Sequence, residues 1–164
     1  MSQRIIIDGA AFARSGERLT GRWPVAGLAR TLDLLTDSAG DLDYRVEGRM
    51  GPRKRPQLWL EIDGRLSVRC QRCLEGIAWP VRIRSLLELI GDDEELTQEE
   101  IEDDSKDFVP AQKELDVAAL IEDEIILDLP VAPRHECCVL PGAGGGPEKV
   151  SPFSALAGLR GKAR

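Results

Sequence analysis

Apolar and polar residues alternate with a period of two along much of the chain, and that period predicts strands. Leu42, Tyr44 and Val46 alternate with Asp43, Arg45 and Glu47, the pattern of a half-buried strand. After a break at residues 48–56, Leu58, Trp59, Leu60, Glu61 and Ile62 form a second strand. The Asp63-Gly64 dipeptide that follows suits a tight type I′ turn because glycine tolerates positive φ, so residues 66–70 are expected to pair back antiparallel. Farther on, Ile77, Trp79, Val81 and Ile83 alternate with Ala78, Pro80, Arg82 and Arg84, and Pro80, having no N–H, predicts a sheet edge or a bulge there. Near the start, Arg4-Ile5-Ile6-Ile7-Asp8 is a β-branched run expected as a short strand, with residues 13–22 as loop. Together these segments predict an antiparallel meander.

The period then changes. Val117, Leu120, Ile121, Glu124 and Ile125 recur at helical spacing, Asp116 is a suitable N-cap, and Pro130 sets a limit, which predicts one amphipathic helix over residues 115–129 packed on the sheet. Between sheet and helix, residues 91–108 are dense in acid, with few apolar members to offset the cost of ordering, and are expected as a mobile loop. Past the helix, Pro141, Gly142, Gly144, Gly145, Gly146 and Pro147 predict a flexible linker. Ser151-Pro152 then opens a short helix carrying Phe153, Leu156, Ala157 and Leu159, before a basic end at Arg160, Lys162 and Arg164. The expected architecture is therefore α+β: a single domain over residues 1–140, its antiparallel sheet an open, barrel-like meander carrying one main helix, followed by a tail over residues 141–164.

Composition alters this picture at two points. Aromatic residues make up only 4% of the 164 residues, so Leu, Ile and Val must fill the core. The net charge of −7 is unevenly spread: residues 1–84 carry +5, residues 85–140 carry −15 and residues 141–164 carry +3. Nucleic acid would thus meet the first half or the tail, whereas the acidic centre would attract a basic protein or merely stay solvated. No apolar run approaches a membrane span or a secretory leader, and four cysteines with two at Cys-x-x-Cys spacing suit a reducing compartment, so a cytoplasmic location is expected.

Cys70-Gln71-Arg72-Cys73 and His135-Glu136-Cys137-Cys138 are the candidate chemistry. A two-residue gap lets both thiolates of a knuckle face one ion, and His135 with Cys138, or with Cys137 as the alternative, could complete four ligands for a structural zinc. The same thiols also read as small buried hydrophobes. A redox pair is less suited, because such pairs open a helix and this one joins strands. His135 is the only histidine and no nucleophile motif accompanies it, so catalysis is not expected. A zinc-dependent hydrolase would need an open coordination position. Arg69, Arg72, Arg82 and Arg84, with Arg53, Lys54 and Arg55, could instead contact phosphate, although alternation lets only some of them share a sheet face.

From Cys70-Gln71-Arg72-Cys73, through Glu122-Asp123-Glu124-Ile125-Ile126-Leu127-Asp128-Leu129-Pro130-Val131-Ala132-Pro133-Arg134-His135, to Pro152-Phe153-Ser154-Ala155-Leu156-Ala157-Gly158-Leu159, the sequence resembles the YceD family. The three blocks occur in order over roughly residues 65–160. The resemblance implies a protein without enzymatic activity that supports accumulation, processing or stability of large-subunit ribosomal RNA, in assembly of the large subunit. Its implied partners are the ribosomal RNA precursor or a basic ribosomal protein, with no membrane and no small-molecule substrate. Members often carry further cysteines after the position of His135, which implies a zinc knuckle; here the adjacent Cys137 and Cys138 depart from that pattern. Direct RNA binding, or a zinc-bearing interaction module with another partner, is the competing reading.

Overall fold

A computed structural model describes residues 4–91 and 93–138. The linker and short C-terminal helix expected over residues 141–164 lie outside the described residues. The expected α+β architecture is present, built on an open, mostly antiparallel sheet. Strands β1 (Ile6–Ile7), β2 (Arg18–Pro24), β3 (Asp41–Met50), β4 (Pro56–Arg69), β5 (Gly76–Ile90), β6 (Asp107–Pro110) and β7 (Leu115–Asp116) are joined with helices α1 (Gly9–Ser15), α2 (Gln98–Ile101) and α3 (Val117–Asp128). Strands β2 to β5 form the meander in the order β2-β3-β4-β5 and β6 adds to β5 in parallel, while β1 and β7 pair separately.

Three local expectations are corrected. Asp63-Gly64 does not turn: β4 runs straight through it, with Asp63 opposite Arg82 and Gly64 opposite Val81, and the chain reverses at residues 70–75. The reason is parity. Leu58, Leu60, Ile62, Leu66 and Val68 all sit at even positions and are all buried in one strand. A two-residue turn at 63–64 would place Ile62 opposite Arg65 and send Leu66 and Val68 to the other face. The stretch read as loop, residues 13–22, holds the end of α1 and most of β2. Helix α1 is too short to show a period, but it is capped at both ends: Ala11 N donates to the Asp8 carboxylate at 2.9 Å, and Gly16 takes the left-handed conformation at φ 63°. Strand β2 alternates through Leu19, Gly21 and Trp23, and the glycine hides the pattern; any Cβ there would meet the Tyr44 ring.

The third correction concerns the acidic segment, which contains secondary structure rather than loop alone. Thr97 and Glu100 form a capping box that starts α2, and β6 follows. Parallel strands cannot be joined by a tight turn, so β5 and β6 need a crossover, and the acidic segment supplies it. Pro80 occupies an edge as expected, since β6 pairs with β5 only at residues 87–90.

The core lies against one face of the sheet. Leu42, Val46, Leu58, Leu60 and Ile62 are fully buried there. Phe12 and Ala13 of α1 and Val117, Ile121 and Ile125 of α3 cover them. Asp116 caps α3 by accepting from Ala118 N at 3.0 Å, as expected. Gly48 admits α1: a Cβ at that position would run into the Phe12 carbonyl. Leu60 stands at the centre of this layer, and Leu60→Ala should lower unfolding free energy by about 2–5 kcal/mol in urea titrations.

Candidate functional site

The β4–β5 reversal builds one half of the cysteine cluster. Cys70 N donates to the Glu75 carbonyl at 2.9 Å and Leu74 N to the Cys70 carbonyl at 3.0 Å, closing a tight loop that Leu74 completes at φ 67°. The loop turns the N–H groups of Arg72 and Cys73 toward the Cys70 Sγ, at 3.4 and 3.5 Å. The other half arrives after α3. Gln71 N donates to the Pro133 carbonyl at 2.8 Å, tying residues 130–138 to the loop.

The structure brings Cys70, Cys73, His135 and Cys138 together, with their donor atoms all within 4.8 Å of one another, a group that could hold a metal ion. Cys137, the alternative ligand, is exposed and outside the group. Cys70 Sγ lies 3.8 Å from Cys138 Sγ, and Cys73 Sγ lies 3.3 Å from His135 Nδ1. Two thiolates held about 2.3 Å from one tetrahedral ion stand about 3.8 Å apart, which matches the sulfur pair. His135 Nε2 lies 3.2 Å from the Gly76 carbonyl. A carbonyl oxygen only accepts, so Nε2 carries the hydrogen and the Nδ1 lone pair is left to face the cluster. Burial would push the Cys70 thiol up, yet the backbone N–H groups aimed at its sulfur hold it down at about 5. Burial and the neighbouring Cys70 and Cys73 push the Cys138 thiol up. One thiolate therefore forms readily and the next resists, a conflict that a bound cation would remove.

A second constellation, which sequence reasoning missed, lies at the far end of the same strand pair. Arg55, read from the sequence as a possible phosphate contact, is 8% exposed. It donates to Glu88 at 3.0 Å, to Glu94 at 2.5 Å and to Glu100 at 2.6 Å. Glu88, 2% exposed, also accepts from Gln57 at 2.7 Å and Lys106 at 3.0 Å, and Arg53 pairs with Glu100. Two carboxylates of the acidic segment thus clamp a buried arginine that also meets a third carboxylate on β5. A buried charge without partners would cost several kcal/mol, so this cluster holds the segment in place. The only sequence signal was Thr97-x-x-Glu100 as a capping box, because the partners are 33 to 45 residues apart.

A family model described as YceD, large ribosomal RNA subunit accumulation protein YceD, matches residues 58–160. The chain belongs to the YceD family. No curated protein and no solved structure matches it. The YceD match begins within β4 and includes all four clustered cysteine and histidine residues, the acidic segment and α3. Among the described residues, no helix is long and apolar enough to cross a membrane.

The clamp gives this YceD chain a pH-sensitive element. The Thr97 backbone N–H, followed by the Thr97 hydroxyl and the charges of Arg55 and Arg53, holds the Glu100 carboxyl at about 2, against burial and below its ordinary 4.5. A depressed folded value means that the contribution is complete above 4.5 and disappears as pH falls toward 2. Amide protection factors at Gln98–Ile101, corrected for the intrinsic exchange rate at each pH, should therefore fall across that window ahead of those of the β4–β5 amides, and Glu100→Gln should flatten the dependence.

Proposed function

We propose that this protein supports accumulation of large-subunit ribosomal RNA without catalysing a reaction, acting in the cytoplasm during assembly of the large subunit. The family match over residues 58–160 carries this reading. The acidic segment supports a docking role. Its Glu94 and Glu100 are committed to Arg55, while Asp93, Glu95, Glu99, Glu102, Asp103 and Asp104 remain exposed on a backbone that is held in place. A fixed array of carboxylates attracts a basic ribosomal protein, or a precursor particle carrying one, at lower ordering cost than a loose tail would.

Cys70, Cys73, His135 and Cys138 hold a structural zinc in this reading. Three thiols and an imidazole nitrogen satisfy a tetrahedral ion and leave no position for water, which favours a structural ion over a hydrolytic one. The ion's task is to pin residues 130–138 to the β4–β5 loop.

Three measurements test these parts separately. Elemental analysis should find zinc in stoichiometric amount in the purified protein, lost in Cys70→Ser and His135→Ala and kept in Cys137→Ser. Metal-free wild-type protein would remove the zinc. Cells lacking the protein should accumulate less large-subunit ribosomal RNA. A variant with Asp93, Glu95, Glu99, Glu102, Asp103 and Asp104 changed to Asn or Gln should co-sediment less with large-subunit precursors. Normal RNA levels in the deletion would overturn the assembly role, and unchanged co-sedimentation would overturn the use of the acidic segment.

A further inference from the structure

Both α1 and α3 pack on the core face of the sheet, where Gly48 meets Phe12 and Ser85 donates to Glu124. The opposite face of β2 to β5 carries no such layer among the described residues. Strand registers place Arg18 and Arg22 on it from β2, and Asp43, Arg45, Glu47 and Arg49 from β3. Strand β4 adds Trp59, Glu61, Asp63 and Arg65, and β5 adds Arg82, Arg84 and Leu86. With Asp41, Arg69 and Glu88 on the same side, eight arginines face six carboxylates.

Two aromatic rings occupy this face. Trp59 lies opposite Leu86, and Phe108 of β6 stands beside Glu88 on the same side. Each has a cation over it: the Arg49 guanidinium lies 5.0 Å from the Trp59 ring centroid, and the Lys106 ammonium 5.1 Å from that of Phe108. Both rings are half-buried, so each sits in the sheet surface with part of it open. At Trp59 the ring and the Arg49 guanidinium together present the two groups that an unpaired nucleotide needs, a π face for the base and a charge for the phosphate, whereas the Lys106 ammonium is held by Glu88 at 3.0 Å.

We propose that this outer face, centred on Trp59 and Arg49, binds an unpaired RNA strand, with Arg65 and Arg82 contacting its phosphates. The proposal rests on the reading that large-subunit RNA is the cargo, and it names how that RNA is touched. Charge complementarity selects RNA over a basic protein on this face: the excess here is positive, whereas the acidic segment offers the opposite sign. Arg65 and Arg82 are exposed and have no carboxylate partner among the described residues. Exposed pairs such as Arg22 with Asp43 and Arg84 with Asp63 are weak enough in water to exchange a carboxylate for a phosphate. A duplex fits poorly, because its bases are already stacked and cannot reach Trp59. The docked acidic segment, with Glu99 and Asp103 near Lys106, closes the end of the face beyond Phe108. Phosphates are thereby turned toward the arginines of β4 and β5.

Fluorescence anisotropy with a labelled unpaired RNA oligomer and its duplexed form, using the full chain, tests this. The unpaired form should bind more tightly, and Trp59→Ala should weaken binding about 10-fold, the scale of one lost stacked base. Trp59→Phe should restore most of the affinity, which separates stacking from loss of fold. Arg65→Ala and Arg82→Ala should each reduce the slope of log affinity against log salt by about 0.7. Neutralising the acidic segment should tighten binding. Equal binding of duplex, indifference to Trp59→Ala, or binding of a polylysine peptide in place of RNA at this face would overturn the proposal. If the protein co-sediments with precursors yet binds no oligomer, the RNA face falls and the assembly reading stands. If the oligomer binds through Trp59 but deletion leaves ribosomal RNA normal, the assembly reading falls and the face stands.

Discussion

The continuous pairing of β4 with β5 is the constraint on which the rest depends. Thirteen residue pairs, from Gln57 opposite Glu88 to Arg69 opposite Gly76, hold one register without a break. At the turn end this register delivers Cys70 and Cys73 into a loop whose N–H groups face a sulfur. At the open end it sets Arg55 and Gln57 against Glu88. The two ends are about 40 Å apart at about 3.4 Å per residue. A slip of one residue would exchange the core and solvent faces and dismantle both constellations together.

Each end solves the same electrostatic problem with different groups. A buried thiolate or carboxylate is costly unless something of opposite polarity meets it. At the open end the answer comes from within the chain, as Arg55 and Lys106 satisfy Glu88 and the segment's Glu94 and Glu100 satisfy Arg55 in return. At the turn end the chain provides donors but no cation: Cys70 is eased toward ionisation by N–H groups, while Cys138 is pushed the other way by the sulfur beside it. The charge balance of the first cluster is internal, whereas the second is a group of donors that could hold a metal ion. The same logic explains buried Glu122 on α3, which accepts from Arg30 N at 2.6 Å and Thr31 N at 3.2 Å and so fastens the loop after β2 to the helix.

What the sequence disclosed follows the range of the interactions. Period-two alternation located β3, β4 and β5, and Asp116 with the apolar spacing located α3, because those signals are local. The Cys-x-x-Cys spacing announced the knuckle for the same reason. The favourable Asp63-Gly64 dipeptide misled because it was weighed without the parity of Leu66 and Val68, which only a continuous strand respects. The acidic segment misled more deeply: its composition describes its solvent-facing side, whereas its contacts with the body run through Arg55, placed beside it only once β4 and β5 have paired. Choosing Cys138 over Cys137 needed the path of the chain past Pro133, which no spacing rule contains.

The extent of the family match bears on where function resides. It begins within β4, so it takes in the strand pair, the acidic crossover, α3 and the cysteine–histidine cluster, and leaves out α1, β2 and β3. Residues before the match close the core through Phe12, Val25 and Leu28 and widen the sheet. On the outer face they contribute Arg18, Arg22, Arg45 and Arg49, yet Trp59, Arg65, Arg82 and Phe108 all fall within the matched region. The matched region therefore holds most of the β4–β5 pair, the acidic crossover, α3 and the cysteine–histidine cluster, whereas Arg55 and Gln57, which complete the charge cluster at the open end, precede it.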